Sequence, residues 1–497
     1  MKTVAKIEPE KEYKNIQKIL EEAGKYFFND QSLSSLSASV DNIMTAARVL
    51  MEREQRRRGN RKPPKEAKDK GRKEGEQRKE AAKLPSERYP DIEVREDVIF
   101  PHKAPKCPCC HSIMRESGLF DVSEKLEVIP KRYYIQRNKR PKFNCGKCHG
   151  AIVNTPAAPS IAPSSNYGVS IIIDVTVAKF CDLIPMERYS QMAYRNGLMG
   201  LPPQSLIGLT HLLADFLMSV YLKIKKEVLS SMVLLADETT HKMLEGDETR
   251  NWFLWGFFST TASYFEAHNT RSGDVVFEFL QNSHAQFLVT DGYTGYDRAI
   301  KKIKKECGRD ILEADCNAHA VRYFKEAATT WTEECAPFLK LYGKIYDLEE
   351  QIKIGDKKIS RADKLKLRQQ MIPIFNELKI KCEEARPSVM AESLFLKAIN
   401  YFLNHFTGLT LCTNNLDIPI DNNHSERELR PSVVGRKTWY GTHSKRGALT
   451  MAIHFSLVGS CRASGVNPVN YYQWIVEQIH QGHEVLTPNE YSKLGTQ

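Results

Sequence analysis

The apolar positions change period along the chain. From Tyr167 to Ser230 they recur at helical spacing, so this stretch reads as helices throughout. It contains MERYSQMAYRNGLMGLPPQSLIGLTHLL, a helix, a glycine-containing turn and a second helix opened by Pro-Pro-Gln-Ser. From Ser231 the pattern becomes that of short strands. VLLAD is a brief apolar run, NWFLWGFFST is aromatic-rich and SYFEAHNT follows, and together they predict a three-stranded meander. SGDVVFEFLQNS reads as a helix, HAQFLVTDGY as a buried strand, TGYDRAIKKIKKE as a helix and RDILEADCNAH as a further strand. The result is an α/β chain whose mixed sheet carries crossover helices. Residues 320–405 return to a charged helical pattern, and the chain from Asp421 is basic, then apolar and helical. Near the start, KEYKNIQKILEEAGKYFF and VDNIMTAARVLMERE are two more apolar-periodic segments, read as a small bundle or as a dimerising or DNA-binding element.

Charge alters this picture at one place. A length of 497 residues allows two to four domains, and the net charge of +11 is uneven. The segment from Met51 to about Pro85 holds fourteen Lys and Arg against seven Asp and Glu, with few apolar residues, and is expected to be a disordered basic linker. Such a run is either a solvated tether or a contact for a polyanion such as nucleic acid. MKTVAKIEPEKEYK lacks the apolar region of a signal peptide. The most apolar run, Leu206–Ile224, includes His211 and Asp215 and is expected to be one core helix, not a membrane span. Twelve cysteines do not make a disulfide scaffold in a chain this long, so a cytoplasmic location with most thiols buried and reduced is expected.

The triplet Asp-Glu-Thr occurs twice, at 237–239 and 247–249. The first ends the run Met232–Ala236, so Asp237 projects from a strand buried in the sheet, where a carboxylate is costly unless a cation or hydrogen bonds compensate it. The second follows Glu245-Gly246, a turn signature, and Asp247 is read as a solvated turn residue. Asp291 ends a second apolar strand, FLVTD, and two strands delivering aspartates to one sheet edge suit a divalent cation; the alternative is that Asp291 caps the helix beginning near Thr294. In DIPIDNNHSERELRPSVVGRKTWYGTHSKRGA, Asp421-Asn422-Asn423 can cap a helix with Glu426 in its first turn. Glu428 lies about 200° further round, so only one of the two is expected to face the sheet. Arg427, Arg430, Arg436 and Lys437 lie near that carboxylate; the alternative is plain surface charge, but a cationic cluster around one carboxylate suits a site that handles phosphates. Two aspartates and a glutamate can hold two Mg²⁺ (or Mn²⁺) ions about 3.5–4 Å apart for in-line displacement at phosphorus. No activated serine or cysteine is required or evident.

KCPCCHSIM and FNCGKCHG supply two C-x-x-C pairs, Cys107/Cys110 and Cys145/Cys148. In a reducing compartment these read as one structural tetrahedral zinc site, against unpaired buried thiols or a redox pair, with Cys109 and His111 as competing ligands. The separation of about 34 residues is wide for this arrangement, and VSEKLEVIPKRYYIQRNKRPKF is expected to fill it as a β-hairpin.

LLADET, VTDGYTGY, CNAHAVRYF and DNNHSERELRPSVVGRKTWYGTHSKRGA, in this order, resemble the insertion-sequence-66 family of DDE transposases over roughly residues 100–475. The resemblance implies a ribonuclease-H-like core with Asp237, Asp291 and Glu426 as the metal-binding triad and a helical insertion over about residues 321–406. It implies a zinc-ribbon-like module over the cysteine segment, where the family usually has glycine at the position of His111. The family's C-A-H-x-R-R-x-F type motif matches at Cys316, Ala318, His319, Arg322 and Phe324, with Val321 in place of the first arginine; His319 and Arg322 are thereby candidate DNA contacts beside Arg427, Arg430, Arg436 and Lys437. The expected organisation is an N-terminal helical region (1–50), the basic linker (51–98), a zinc-ribbon-like module (99–160), a helix-turn-helix-like region (161–230), the catalytic domain (231–475) and a tail (476–497). The expected function is a transposase that binds transposon ends and target DNA as a homo-oligomer on the bacterial nucleoid, with small accessory proteins of the same element as candidate partners. Two alternatives stand beside it: a transposase-derived DNA-binding regulator that does not cut, and a ribonuclease-H-like nuclease without strand transfer.

Overall fold

The structure, a computed structural model, describes residues 84–99, 105–106, 108–109, 111–114, 123–144, 152–163, 165–245, 251–354 and 359–496. The helices expected within 8–50, most of the basic linker, the four C-x-x-C cysteines and Asp247 lie outside the described residues. The chain divides into two compact units, residues 60–135 and the remainder.

In the smaller unit the described end of the expected linker carries one helical turn. Pro85–Arg88 forms one helical turn, α1, and Ser86 donates from both its backbone N–H and its hydroxyl to the Glu124 carboxylate, each at 2.8 Å. Lys106 and Ile113 pair across the first C-x-x-C, and His111 sits at φ 59°, the left-handed region that glycine favours. In the larger unit β1 (Lys142–Asn144) and β2 (Ile152–Asn154) pair antiparallel across the second C-x-x-C. The hairpin expected over 122–143 is therefore corrected: residues 123–140 contain no strand. Pro130 interrupts any ladder there, and Leu126, Val128 and Ile129 are exposed, so there is no buried face to fix a register.

The larger unit is built on a five-stranded sheet. β3 (Val233–Lys242), β4 (Asn251–Phe258) and β5 (Ser263–His268) form the expected meander, while β6 (Phe287–Thr290) and β7 (Leu312–Asp315) run parallel to β3, giving the order β5-β4-β3-β6-β7. β7 is shorter than expected, because Asn317 already opens the next helix. Before the sheet come α2 (Val169–Phe180), α3 (Met186–Arg195), α4 (Pro203–Phe216) and α5 (Met218–Leu229). Following β5 are α6 (Gly273–Leu280), then α7 (Thr294–Cys307) between β6 and β7 and α8 (Asn317–Ala327) after it. The insertion contains α9 (Thr332–Ile354), α10 (Arg361–Gln369), α11 (Met371–Ala385), α12 (Leu394–Asn404) and the short α13 (Phe406–Thr410). The chain returns through α14 (Asn423–Trp439), α15 (Lys445–Ala463), α16 (Pro468–His480) and α17 (Pro488–Ser492).

Strand alternation assigns the two faces of the sheet. Trp255 and Phe257 face α6 and α7, where Phe257 stacks on Phe279 at 3.8 Å between ring centroids and Trp255 meets Tyr296 edge-on. Leu254, Phe258 and Phe265 face the other way into a core shared with Phe455 of α15 and with Phe338, Phe375 and Phe402 of the insertion. The insertion is thus packed onto the sheet as one body. Ser456 and Ser460 of α15 accept from the backbone N–H of Phe265 and Ser263, at 2.9 and 3.1 Å.

Two further expectations change. The run Leu206–Ile224 is not one helix: it breaks at Leu217 into α4 and α5, bent by 58°, and both halves pack against α15. No single helix among the described residues is long and apolar enough to cross a membrane. The boundary at 475 cuts through α16, and the expected tail is fastened down, with Tyr471 donating to the Leu486 carbonyl at 2.7 Å and Lys223 pairing with Glu490 at 2.9 Å.

Candidate active site

Asp237 lies mid-way along β3, and the parallel register pairs Leu235 with Val289 of β6. Asp291, one residue beyond the end of β6, follows that register and lies close enough to Asp237 to act on its carboxyl. Asp237 has the same parity as Leu235, so it faces the insertion and α14; Glu238 has the opposite parity and turns to the α7 face. There Glu238 is buried, accepting from Tyr296 at 2.5 Å and Arg271 Nε at 2.7 Å. Alternation alone therefore separates the adjacent acids: Glu238 is already paired with a cation, whereas Asp237 accepts the Glu238 N–H at 2.9 Å and meets no cation among the described residues.

Asp291 does not cap the following helix. The cap is Tyr293, and Asp291 Oδ1 accepts the Tyr293 backbone N–H at 3.0 Å in a local turn that leaves the other oxygen available. Gly292 makes the turn at φ 82°, and a Cβ there would meet His405 Cε1 at 2.9 Å, so glycine is required on both counts.

Glu426 reaches this edge because of Asn422. The fully buried Asn422 donates its side-chain N–H to the Ala236 carbonyl at 3.1 Å, one residue before Asp237, and accepts from Ser425 at 2.6 Å. The first turn of α14 is thereby fastened to β3, with Glu426 in it. Arg322 donates to Glu426 Oε1 at 3.0 Å, and His319 Nε2 lies 3.6 Å from the same oxygen. Glu428 also approaches the sheet, contrary to the expectation that only one glutamate would. It is buried against β5, held by Arg462 at 3.0 Å and Ser263 at 3.3 Å, and is a structural partner there. The cations expected around Glu426 do not pair with it among the described residues. Arg436 folds back onto Thr240, Arg427, Arg430 and Lys437 are exposed along α14, and the pairing cation comes instead from α8.

The electrostatics of Asp237 express the arrangement. Burial, then the carboxylates of Glu238 and Asp291, push its carboxyl up to about 8, with a smaller contribution in the same direction from Glu426 and an opposing one from the Glu238 N–H. A group in that position is relieved by a proton or by a cation. All three donors are carboxylate oxygens, the set that suits a hard divalent ion such as Mg²⁺ or Mn²⁺. Among the described residues no three such side chains already surround a common point, because Glu426 is drawn towards Arg322 and His319.

Some neighbours of the site escaped the sequence reading. Asp315 ends β7 as Asp237 and Asp291 follow their apolar runs, a parallel visible in LEAD once β7 is seen to lie beside β6. Its Oδ1 bonds His405 Nδ1 at 2.9 Å, and that carboxylate holds the imidazole above its ordinary value. Tyr401 of α12 donates to the Asp291 carbonyl at 3.1 Å. Nothing in the sequence marks His405 or Tyr401, since the insertion reaches the site only through tertiary packing.

A mixed sheet placing two aspartates and a helix-borne glutamate near one another gives an acidic cluster whose oxygens suit a hard divalent cation. Residues 164–450 match the family model "Transposase IS66 family", and residues 105–149 match the "zinc-finger binding domain of transposase IS66". The chain belongs to the IS66 transposase family. Similar curated proteins include two from Sinorhizobium fredii: uncharacterized protein y4jD, 24% identical over 408 residues (80% of this chain and 79% of that one), and uncharacterized protein y4hP, 26% identical over 414 residues (79% and 73%).

Proposed function

We propose that the chain is an active transposase that cuts DNA at transposon ends and joins the freed 3′-hydroxyl to target DNA, using Asp237, Asp291 and Glu426 on a ribonuclease-H-like core. The observation that carries the reading is the position of Asp237, half-buried beside Asp291 and near the first turn of α14, with its carboxyl pushed up to about 8. The strand order β5-β4-β3-β6-β7, antiparallel on one side of β3 and parallel on the other, supports the core assignment.

Asp237, Asp291 and Glu426 would hold two divalent cations, Mg²⁺ or Mn²⁺. When bound, such ions neutralise charge on the scissile phosphate and activate the attacking oxygen. The chain's own contribution is positional. β3 and β6 fix the two aspartates, the Asn422 bond to Ala236 fixes the helix bearing Glu426, and Arg322 and His319 present positive and hydrogen-bonding groups to a phosphate backbone. In the first step water attacks the phosphodiester and the 3′-oxygen leaves as a hydroxyl; in the second that hydroxyl attacks a target phosphodiester and displaces its 3′-oxygen. Cys107, Cys110, Cys145 and Cys148 would hold one structural Zn²⁺ in a DNA-binding module, and Arg427, Arg430, Arg436 and Lys437 extend the basic surface. Joining two ends calls for at least a dimer on DNA; one protomer per paired-end complex in sedimentation would refute this.

The test is cleavage and joining on a labelled duplex of the element's terminus with Mg²⁺. Asp237→Asn, Asp291→Asn and Glu426→Gln are expected to abolish products, by about a thousandfold or more, and Asp247→Asn to retain them. Bound but intact DNA with the wild-type chain would instead indicate a regulator, and nicks without joining a nuclease.

A further inference from the structure

Beside the candidate carboxylates lies a cavity of about 530 Å³ between α8, α9 and the start of α14. Its walls include Val321 and Leu339, two tyrosines, Tyr342 and Tyr346, and Gly343. Arg322 and Lys325, both exposed cations, lie on α8 at its border, and Asn423 closes the α14 side. Arg322 is the residue that bonds Glu426 at 3.0 Å, so cavity and acidic edge share a side chain.

One feature of the wall is poorly explained by packing alone. Gly343 lies inside α9, where glycine is the poorest ordinary helix former, and a Cβ there would meet nothing within 4 Å. The helix thus forgoes a side chain at the place where one would narrow the cavity.

An apolar, aromatic-walled slot with cations at its border matches a nucleobase still attached to its phosphate backbone. We infer that this cavity receives one unpaired base of the DNA strand next to the cut, turned out of the duplex while Arg322 and Lys325 hold the flanking phosphates. The inference rests on the transposase reading above. It gives this chain a means of recognising a distorted or frayed end, because such a base costs less to unstack than a paired one.

The experiment places 2-aminopurine singly at successive positions around the cut in duplexes of the element's terminus, with the full chain carrying Asp237→Asn so that binding is read without cleavage. Emission is expected to rise at one position beside the cut. Gly343→Leu, which favours the helix and projects into the cavity, is expected to return that emission to the level of free duplex and weaken binding about tenfold, the scale of one lost stacking contact. Val321→Phe fills the slot from the opposite wall and is expected to do the same, with thermal melting confirming that both variants fold. If no position responds while wild-type protein cuts the same duplexes, or if the folded variants keep the response, the base pocket is refuted and the transposase reading survives. If the wild-type chain neither binds nor cuts them, the reading beneath it falls as well.

Discussion

Two regions of this molecule bury charge, and they treat it in opposite ways. In the insertion, Arg368 and Glu349 are each almost fully buried and pair at 2.7 Å; a second guanidinium nitrogen donates to Glu349 at 2.9 Å, and the third to the carbonyls of Cys412 and Ile418, both at 2.9 Å. The protein neutralises that charge itself, and the pair ties α9 and α10 to the turn after α13. On β3, Asp237 is half-buried beside three other carboxylates and, among the described residues, receives only the N–H of Glu238. The structural site is closed on itself, whereas the acidic site leaves a deficit that an external cation can fill. Satisfaction, more than burial, separates framework from chemistry here.

The comparison is broken most severely by removing one partner on each side. Arg368→Met strands a buried carboxylate and is expected to cost about 3–5 kcal/mol in denaturant unfolding. Asp237→Asn, measured without divalent cations, is expected to leave stability unchanged or raise it, because it removes the carboxylate the fold satisfies least. A loss comparable to that of Arg368→Met would mean that Asp237 is a framework residue.

His454 shows a third solution, remaining neutral. It is fully buried on α15, bonds the Tyr472 hydroxyl at 2.9 Å and the Thr210 carbonyl at 3.0 Å, and stacks on Phe180. Burial pushes it down to about 4, so its contribution is complete above the ordinary histidine value near 6.5. As pH falls from there towards 4 the unfolded chain takes up a proton that the folded one refuses, and stability is lost. Between those limits the wild type is expected to lose up to about 3 kcal/mol more than His454→Gln. Equal slopes in the two proteins would show that His454 protonates in place.

Much of this was legible in the chain. VLLAD and FLVTD identify themselves because a carboxylate closes an apolar run, and the meander followed by crossover helices points to a mixed sheet. The side of β3 on which Asp237 faces also follows from parity with Leu235. The pairing of Glu426 with Arg322 did not follow, since four basic residues on its own helix were nearer in sequence than one contributed from 104 positions away. The break at Leu217 was invisible for a similar reason: no proline or glycine marks it, and packing of both halves on α15 accompanies the bend. Local chemistry is readable where the chain itself supplies the contact, and is lost where tertiary packing does.

Smaller effects are expected from occupancy of the acidic site. Mg²⁺ at a hundred times its dissociation constant should stabilise the wild type by about 2.7 kcal/mol, and should not raise the melting temperature of Asp237→Asn. Equal shifts in both proteins would place the ion elsewhere.

A smaller stability effect tests the join between framework and chemistry. Asn422 is buried like Arg368 and satisfied like it, yet its bond to the Ala236 carbonyl serves the acidic site by fixing α14 against β3. Asn422→Ala leaves that carbonyl and the Ser425 hydroxyl without their partner, at a cost of about 1–2 kcal/mol, and lets the first turn of α14 move. Because misplacement of a reacting group by 1 Å can cost about a hundredfold in rate, cleavage is expected to fall far more than stability does. Arg322→Ala provides the contrast: it frees Glu426 from an ion pair that is partly exposed, so stability should change by less than about 1 kcal/mol. If Asn422→Ala cuts DNA at the wild-type rate, the helix is positioned by other contacts, and the link between the satisfied interior and the unsatisfied edge is not made at this residue.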